Sequence, residues 1–276
     1  MSIVVAILAK DKEYCLPLFL QSIYNQTYPK DQIHLYVRTN DNKDKTEEIL
    51  NEFISRVGSE YASVFYDGGS IDLTLKEYKE HQWNPHRYSI LAKIRQDSIN
   101  YARAKGAHYF VADCDNFIVP ETLERLYKNR DLGVIAPLLE SQINYSNYHH
   151  CCTDNGYYKD CDEGRIIRYN KVRGLIEVAV AHCTYFIDNR FLDKIVYDDC
   201  SDRMEYVIFS HWLRFHKIPQ FIDNTIDYGF LVSPYPEDSA KEFKECILNI
   251  FFKKYKILFK PTTPEFAKYF LTLFNF

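Results

Sequence analysis

The stretch His108-Tyr109-Phe110-Val111-Ala112-Asp113-Cys114-Asp115-Asn116 decides the fold class. His108 to Ala112 is a short apolar run of strand length, it leads directly into two carboxylates, and Pro120 then stands where the first turn of a helix tolerates a residue without an N–H. In open α/β sheets ligands gather outside the carboxyl ends of the strands, so the run reads as a buried strand ending at a chemically active edge. Just before it, Tyr88 to Lys105 carries Ile90, Leu91, Ile94, Ile99 and Ala102 at helical spacing, which predicts a helix covering a core, and Gly106 supplies its stop.

The same alternation extends toward the N-terminus. Ile3 to Leu8 reads as a strand, Leu16 to Tyr24 as a helix, His34 to Arg38 as a second strand, and Thr46 to Val57 as a helix with Ile49, Leu50, Phe53 and Ile54 on its buried stripe. This is the βαβ grammar of a mostly parallel sheet. It places three loops on one edge: Ala9 to Lys12, Thr39 to Asp44, and Asp113 to Asn116. The second half is less regular, with a polar, aromatic segment from Asn144 to Tyr158, a strand-like run from Leu175 to Ala181 and another from Tyr185 to Ile187. From Lys241 to Phe276 the chain reads as helices, including a basic, apolar stretch from Phe243 to Phe259. Docking of these helices onto the main body is the plainer expectation; contact with a membrane surface or a second copy in a homo-oligomer is the sharper one.

Composition narrows the class further. With 276 residues, 46% hydrophobic and 26% charged, the chain can bury a sizeable core and has no tract that reads as a disordered linker. A net charge of −4 argues against a general nucleic-acid binder, which needs a basic face to displace counterions. No apolar run approaches the roughly 20 residues needed to span a bilayer. Ser2 to Ala9 lacks the basic start and cleavage site of a signal peptide, so a cytoplasmic protein without retention tail is expected, in a microbial or viral setting. The eight cysteines are then expected as reduced thiols, and the spacing of Cys151-Cys152, Cys161 and Cys200 does not make a paired zinc pattern.

In Asp113-Cys114-Asp115, carboxylates two positions apart project to one side if the backbone is extended, so both can approach one hard cation such as Mn²⁺ or Mg²⁺. Such a cation would bridge a donor's two phosphates and neutralise the charge that develops on a departing nucleoside diphosphate. The plainer alternative for Asp-x-Asp is a capped, solvated turn.

Several segments taken together are more specific than that pair. They are Ile7-Leu8-Ala9-Lys10 with Leu16-Pro17, Leu35-Tyr36-Val37-Arg38-Thr39 with Asn42, Asp44 and Thr46, and Lys93-Ile94-Arg95-Gln96. Further on come Asp113-Cys114-Asp115-Asn116, Ala136-Pro137-Leu138-Leu139-Glu140-Ser141, Tyr145-Ser146-Asn147, Gly156-Tyr157-Tyr158-Lys159, Val180-Ala181-His182-Cys183-Thr184 and Tyr228-Gly229-Phe230. Across most of its length the chain resembles the procollagen galactosyltransferase family, whose members modify hydroxylysine in collagen-like chains.

That resemblance implies a GT-A fold, a Rossmann-like mixed sheet with flanking helices. Residues 1–240 would form the glycosyltransferase domain, with a nucleotide-sugar half (1–116) and an acceptor half (117–240), and 241–276 a C-terminal helical extension. It implies a UDP-hexose donor, galactose or glucose, and transfer with inversion to an acceptor hydroxyl, of which hydroxylysine of a collagen-like protein is one example. Thr39, Asn42 and Asp44 would lie near the uridine, Ala9 and Cys114 beside them on the same edge, and Arg95 would offer its donor fork to a phosphate or sugar oxygen; a surface ion pair is the plainer reading of Arg95. His182 would face the metal as a neutral ligand or hydrogen-bond to the diphosphate, with a satisfied structural histidine as the alternative. Inversion needs a base on the acceptor side. The family places an acidic pair before an apolar helix, and the matching segment here is Asp202-Arg203-Met204-Glu205, with Met204 in place of the first acid. Glu205 is therefore the candidate base and Asp202 its substitute, against the plainer reading of a helix N-terminal charge.

Other functions remain in view at this point: transfer to a glycan or lipid-linked acceptor, a catalytically silent sugar-nucleotide or carbohydrate-binding protein on the same fold, and, last, metal-dependent nucleotidyl transfer, for which the glycine-rich phosphate loop is missing.

Overall fold

The structure is a computed structural model that describes residues 1–71, 74, 77–78, 82–141, 145–232, 239–247 and 254. Its centre is an eight-stranded mixed sheet. The first half of the chain supplies β1 (Ile3–Ala9), α1 (Leu16–Tyr24), β2 (Ile33–Thr39), α2 (Thr46–Val57), β3 (Ser63–Asp67), α3 (Pro85–Lys105) and β4 (His108–Ala112). Then follow β5 (Asn116–Ile118), α4 (Thr122–Lys128), β6 (Val134–Pro137), β7 (Tyr148–His149), β8 (Cys151–Cys152), β9 (Tyr158–Lys159) and α5 (Asp162–Arg168). The remainder is β10 (Leu175–Val178), β11 (Val180–Ala181), β12 (Thr184–Ile187), α6 (Glu205–Phe215), β13 (Gln220–Asp223), β14 (Gly229–Leu231) and α7 (Ser239–Cys246).

The strand order is β10-β13-β6-β12-β4-β1-β2-β3. The run from β4 to β3 is parallel, as the βαβ reading requires, whereas β12 lies antiparallel to both β4 and β6. The sheet is thus mixed in the way a GT-A fold demands. Along β1, Ile3, Val5, Ile7 and Ala9 enter the core beneath α1 and α2, while Val4 and Ala6 enter the opposite core beneath α3 and α6. A strand buried on both faces needs apolar residues at every position, which is why Ile3 to Leu8 shows no alternation.

The element expectations hold for α1, α2 and β4, and Gly106 closes α3 with φ 61°, a left-handed cap that glycine adopts without a Cβ clash. Several details differ. In α3 the fully buried face is Ala92, Arg95, Ser98, Ile99 and Ala102, while Ile90, Leu91 and Ile94 form a wall of the cavity described below. The helix after Pro120 begins at Thr122, whose N–H and hydroxyl both bond to the Val119 carbonyl and so close a turn first. Leu175 to Ala181 is not one strand: the chain breaks at Ala179, whose N–H is taken by the His150 carbonyl, so β10 pairs with β13 and β11 with β7. Of the C-terminal helices, α7 is described, and the stretch beyond Ile247, with Lys254 excepted, lies outside the described residues. Among the described residues no helix is long and apolar enough to cross a membrane.

Candidate functional site

Where β4 ends, the chain turns: the Asn116 N–H bonds to the Asp113 carbonyl at 2.9 Å. Asp113 and Asp115 therefore do not share a side through extended alternation; the turn sends them to different cations. Asp113 follows Tyr109 and Val111 in the strand's alternation, the face that α3 covers, and its Oδ1 receives Nη2 of Arg95 at 2.9 Å. Asp115 Oδ2 receives the Lys12 ammonium at 2.8 Å from the loop after β1. The second oxygen of each carboxylate makes no hydrogen bond among the described residues. Both side chains border a cavity of about 740 Å³ at the carboxyl edge of the sheet. The turn itself is fastened from three sides: Asp113 N–H to the Cys183 carbonyl, Val232 N–H to the Asp115 carbonyl, and the Asn116 amide to Thr184.

Two cations, buried Arg95 and partly buried Lys12, set the electrostatics. Burial works against the charge on Arg95, but Asp113, Tyr185 and Glu205 outweigh it and hold its pKa well above the ordinary arginine value. Lys12 is likewise opposed by burial and held well above its usual value by Asp115. Arg95 also has unsatisfied donors: among the described residues its buried Nε and Nη1 have no hydrogen-bond partner, although Arg95 is part of the cavity wall. An orphaned buried donor costs about 1–3 kcal/mol, and a ligand oxygen in the cavity would remove that cost.

The loops after β1 and β2 are built against each other. Asp11 N–H bonds to Asn42 Oδ1, Lys43 N–H to Asp11 Oδ1, Lys12 N–H to Thr46, and Asp44 takes the N–H groups of both Glu13 and Thr46. Asn42 in turn bonds to buried Thr39. Asp11 and Asp41 adopt φ of 51° and 44° in these turns. Ala9, Asp44, Arg95, Asp113, Cys114 and Asp115 line the cavity as a group, whereas Thr39 and Asn42 brace the loop behind it.

Three expected residues are placed elsewhere. Glu205 opens α6 with its side chain buried, its carboxylate 3.5 Å from Arg95 Nε; burial raises its pKa, with Arg95 opposing. Asp202 is exposed in the turn before α6, and neither acid is on the cavity wall. His182 is buried, with Nδ1 2.9 Å from Cys183 Sγ and its ring among Tyr145, His149 and Tyr206. Burial, together with His149 and Arg95, pushes its pKa well below the usual histidine value, so it is neutral. Among the described residues Nε2 has no hydrogen-bond partner, yet His182 is not gathered with Asp113 and Asp115 into one ligand set.

The sequence reading did not single out Lys10, Lys12, Lys43, Trp83 or Arg87, all on the cavity wall. The available signal was Lys10-Asp11-Lys12 at the carboxyl end of a buried strand, two cations where an anionic ligand would sit. Trp83 precedes α3 in an irregular segment, where no periodicity points to it.

A family model described as Glycosyltransferase family 25, N-terminal domain, matches residues 1–250. Among curated relatives, Inactive glycosyltransferase 25 family member 3 of Homo sapiens is 33% identical over 263 residues, covering 90% of this chain and 44% of that protein. Procollagen galactosyltransferase 1-A of Xenopus laevis is 30% identical over 267 residues, covering 91% of this chain and 44% of that protein. The chain thus spans less than half the length of either. Among solved structures, S. aureus TarS 1-349 in complex with UDP-GlcNAc matches with a TM-score of 0.54 at 13% identity, over 90% of this chain and 64% of that one. GalNAc-T7 with UDP, GalNAc and Mn²⁺ matches with a TM-score of 0.54 at 13% identity, over 96% of this chain and 51% of that one. At such identities the likeness is one of fold, and that fold is GT-A.

Proposed function

Because this chain belongs to glycosyltransferase family 25, we propose that it moves a hexose, galactose or glucose, from a uridine-diphosphate sugar to an acceptor hydroxyl, using Mn²⁺ or Mg²⁺ at Asp113 and Asp115. The observation that carries this reading is the pairing on one cavity wall of two carboxylates, each with an uncommitted oxygen, and the orphaned Nη1 of Arg95. Carboxylate oxygens suit a hard divalent cation. When bound, the cation supplies Lewis-acid neutralisation of the departing diphosphate.

The chain's own residues do the rest. Arg95 Nη1 donates to a phosphate or sugar oxygen, a contact its burial makes directional. Lys12 holds Asp115 in place through its 2.8 Å contact, and Lys10 and Lys43 add positive potential at the cavity mouth. Ile90, Leu91 and Ile94 provide an apolar wall that keeps water from the anomeric carbon, and Trp83 offers a ring face to the base or sugar. Proton removal from the acceptor falls to Glu205, or to Asp202 as its substitute. In its present place behind Arg95, Glu205 also orients the guanidinium, and as a base it needs to exchange that contact for the acceptor. The acceptor we favour is hydroxylysine of a collagen-like chain, supported by the galactosyltransferase relative; a glycan acceptor uses the same donor machinery.

A catalytically silent reading has its own support. The human and mouse relatives are named inactive, and Lys12 and Arg95 already neutralise both carboxylates from within. Release of UDP from a panel of UDP-sugars, with Mn²⁺ or chelator and with or without a hydroxylysine peptide, separates the two. Metal-dependent release stimulated by the peptide is the expected result; release without stimulation removes the collagen-like acceptor, and no release from any donor leaves the silent reading.

A further inference from the structure

Away from the cavity, the chain folds two thiols and a carboxylate onto one spot that their spacing in the sequence does not announce. Cys151 lies in β8, which pairs with β9 so that Cys151 faces Lys159 across the ladder. Two residues beyond Lys159 the chain reaches Cys161, and Glu163 follows in the first turn of α5. The Sγ atoms of Cys151 and Cys161 and a carboxylate oxygen of Glu163 all lie within 4.8 Å of one another. Ligands at about 2.3 Å (sulfur) and 2.0 Å (oxygen) around a tetrahedral Zn²⁺ are separated by about 3.5–3.8 Å, so rotamer adjustments alone bring these three onto one ion. Both cysteines are free thiols and only partly buried, and Glu163 is exposed, so an ion has a path in.

The neighbourhood is kept clear for the sulfurs. A Cβ at position 164 would stand 3.3 Å from Cys161 Sγ and 3.5 Å from His150 Cβ, a space that Gly164 leaves open. Among the described residues, buried His150 Nδ1 has no hydrogen-bond partner. The acidic side chains nearby are otherwise engaged: Asp160 and Asp162 both pair with Arg165, which leaves Glu163 as the carboxylate for the thiols.

We propose that Cys151, Cys161 and Glu163 form a zinc site, with water completing the tetrahedron, that fastens the β8–β9 hairpin to α5. Two thiolates and one carboxylate are a donor set suited to Zn²⁺ and unlike the all-oxygen pair at Asp113 and Asp115. Binding releases one proton from each thiol to solvent, so affinity falls as pH is lowered. The site is independent of the transferase reading and stands whether or not the cavity turns over a donor.

The test is titration of the full-length, chelator-treated chain with Zn²⁺ alone, and with Co²⁺ as a spectroscopic reporter. One equivalent of tightly held Zn²⁺ and a thiolate-to-cobalt charge-transfer band are expected; cobalt at Asp113 and Asp115 gives no such band because its ligands are oxygens. Cys151→Ser and Cys161→Ser should each abolish the band, Glu163→Gln should weaken binding at least about tenfold, and Cys200→Ser, an exposed thiol elsewhere, should change nothing. Zinc should also raise the melting temperature of the wild type by more than that of Cys151→Ser, which keeps only the Asp113 and Asp115 pair. Absence of the band in the wild type overturns the proposal. So does a count of six thiols rather than the eight of the sequence in the unfolded, unreduced protein, with Cys151 and Cys161 joined as a disulfide.

Discussion

Arg95 serves two carboxylates with one guanidinium: Nη2 reaches Asp113 at 2.9 Å while Nε faces Glu205 at 3.5 Å. Taking these charges out of water costs several kcal/mol per ion, and the arrangement is tolerable only while all three are present. Arg95→Met should therefore destabilise the fold by about 3–5 kcal/mol, read as a lower urea midpoint with the slope unchanged; a loss under about 1 kcal/mol would show that the network is solvated. Arg95→Lys keeps a charge but not the planar fork, and should recover stability better than donor binding. His149 carries a second prediction at this scale. Burial, with Arg168, pushes its pKa from 6.5 to about 4. The folded value lies below the unfolded one, so the stability it contributes is present above pH 6.5 and is lost as pH falls toward 4. The loss is about 3 kcal/mol across that window. His149→Phe should flatten the acid limb there, and an unchanged slope in pH-dependent unfolding would contradict the assignment.

At the scale of elements, the site depends on a small ladder as well as on the main sheet. Strand β14 pairs with β5, and Val232, next after it, fastens the Asp115 carbonyl. Gly229 has φ 137°, and a Cβ there would lie 1.9 Å from the Phe117 carbonyl oxygen. Gly229→Ala should cost roughly 3 kcal/mol or more through strain and overpacking and weaken donor binding with it. Gly106→Ala, with φ 61° and no neighbour within 4 Å among the described residues, should cost only about 1 kcal/mol. Thermal unfolding of the two variants side by side distinguishes the cases, and equal losses would remove the role given to the β5–β14 contact. Elements with one buried stripe or a continuous apolar run were legible in the sequence: α1, α2 and β4 begin and end where periodicity puts them. What was not legible depends on partners distant in the chain. Leu175 to Ala181 reads as one strand because nothing local reveals that β13 and β7 compete for its two halves. Ile90, Leu91 and Ile94 have the spacing of a core stripe and face a cavity, since an apolar residue is equally at home in either. Asp113 and Asp115 were found as a pair, but their cations, Arg95 and Lys12, are 18 and 103 residues away from them, a pairing that no spacing rule encodes.

For the whole molecule, the net charge of −4 conceals a local field of the opposite sign. Lys10, Lys12, Arg38, Lys43, Arg87 and Arg95 all contribute to the wall of the one cavity that holds Asp113 and Asp115. A cleft lined by cations within a low-dielectric body concentrates an anionic ligand, so affinity for UDP should fall as ionic strength rises past about 0.15 M, where screening acts over about 8 Å. Salt-insensitive binding would show that the lysines are spent on internal contacts. The central claim is that Asp113 and Asp115 hold a divalent cation against a nucleoside diphosphate in this cavity. Calorimetric titration of UDP into the wild type and into Asp113→Asn/Asp115→Asn, each with Mn²⁺ and with chelator, tests it without requiring turnover. Mn²⁺ should tighten UDP binding at least about tenfold, or roughly 1.4 kcal/mol, in the wild type and have no effect in the variant. Equal affinity with and without Mn²⁺ in the wild type, or the same enhancement in the variant, would contradict the account.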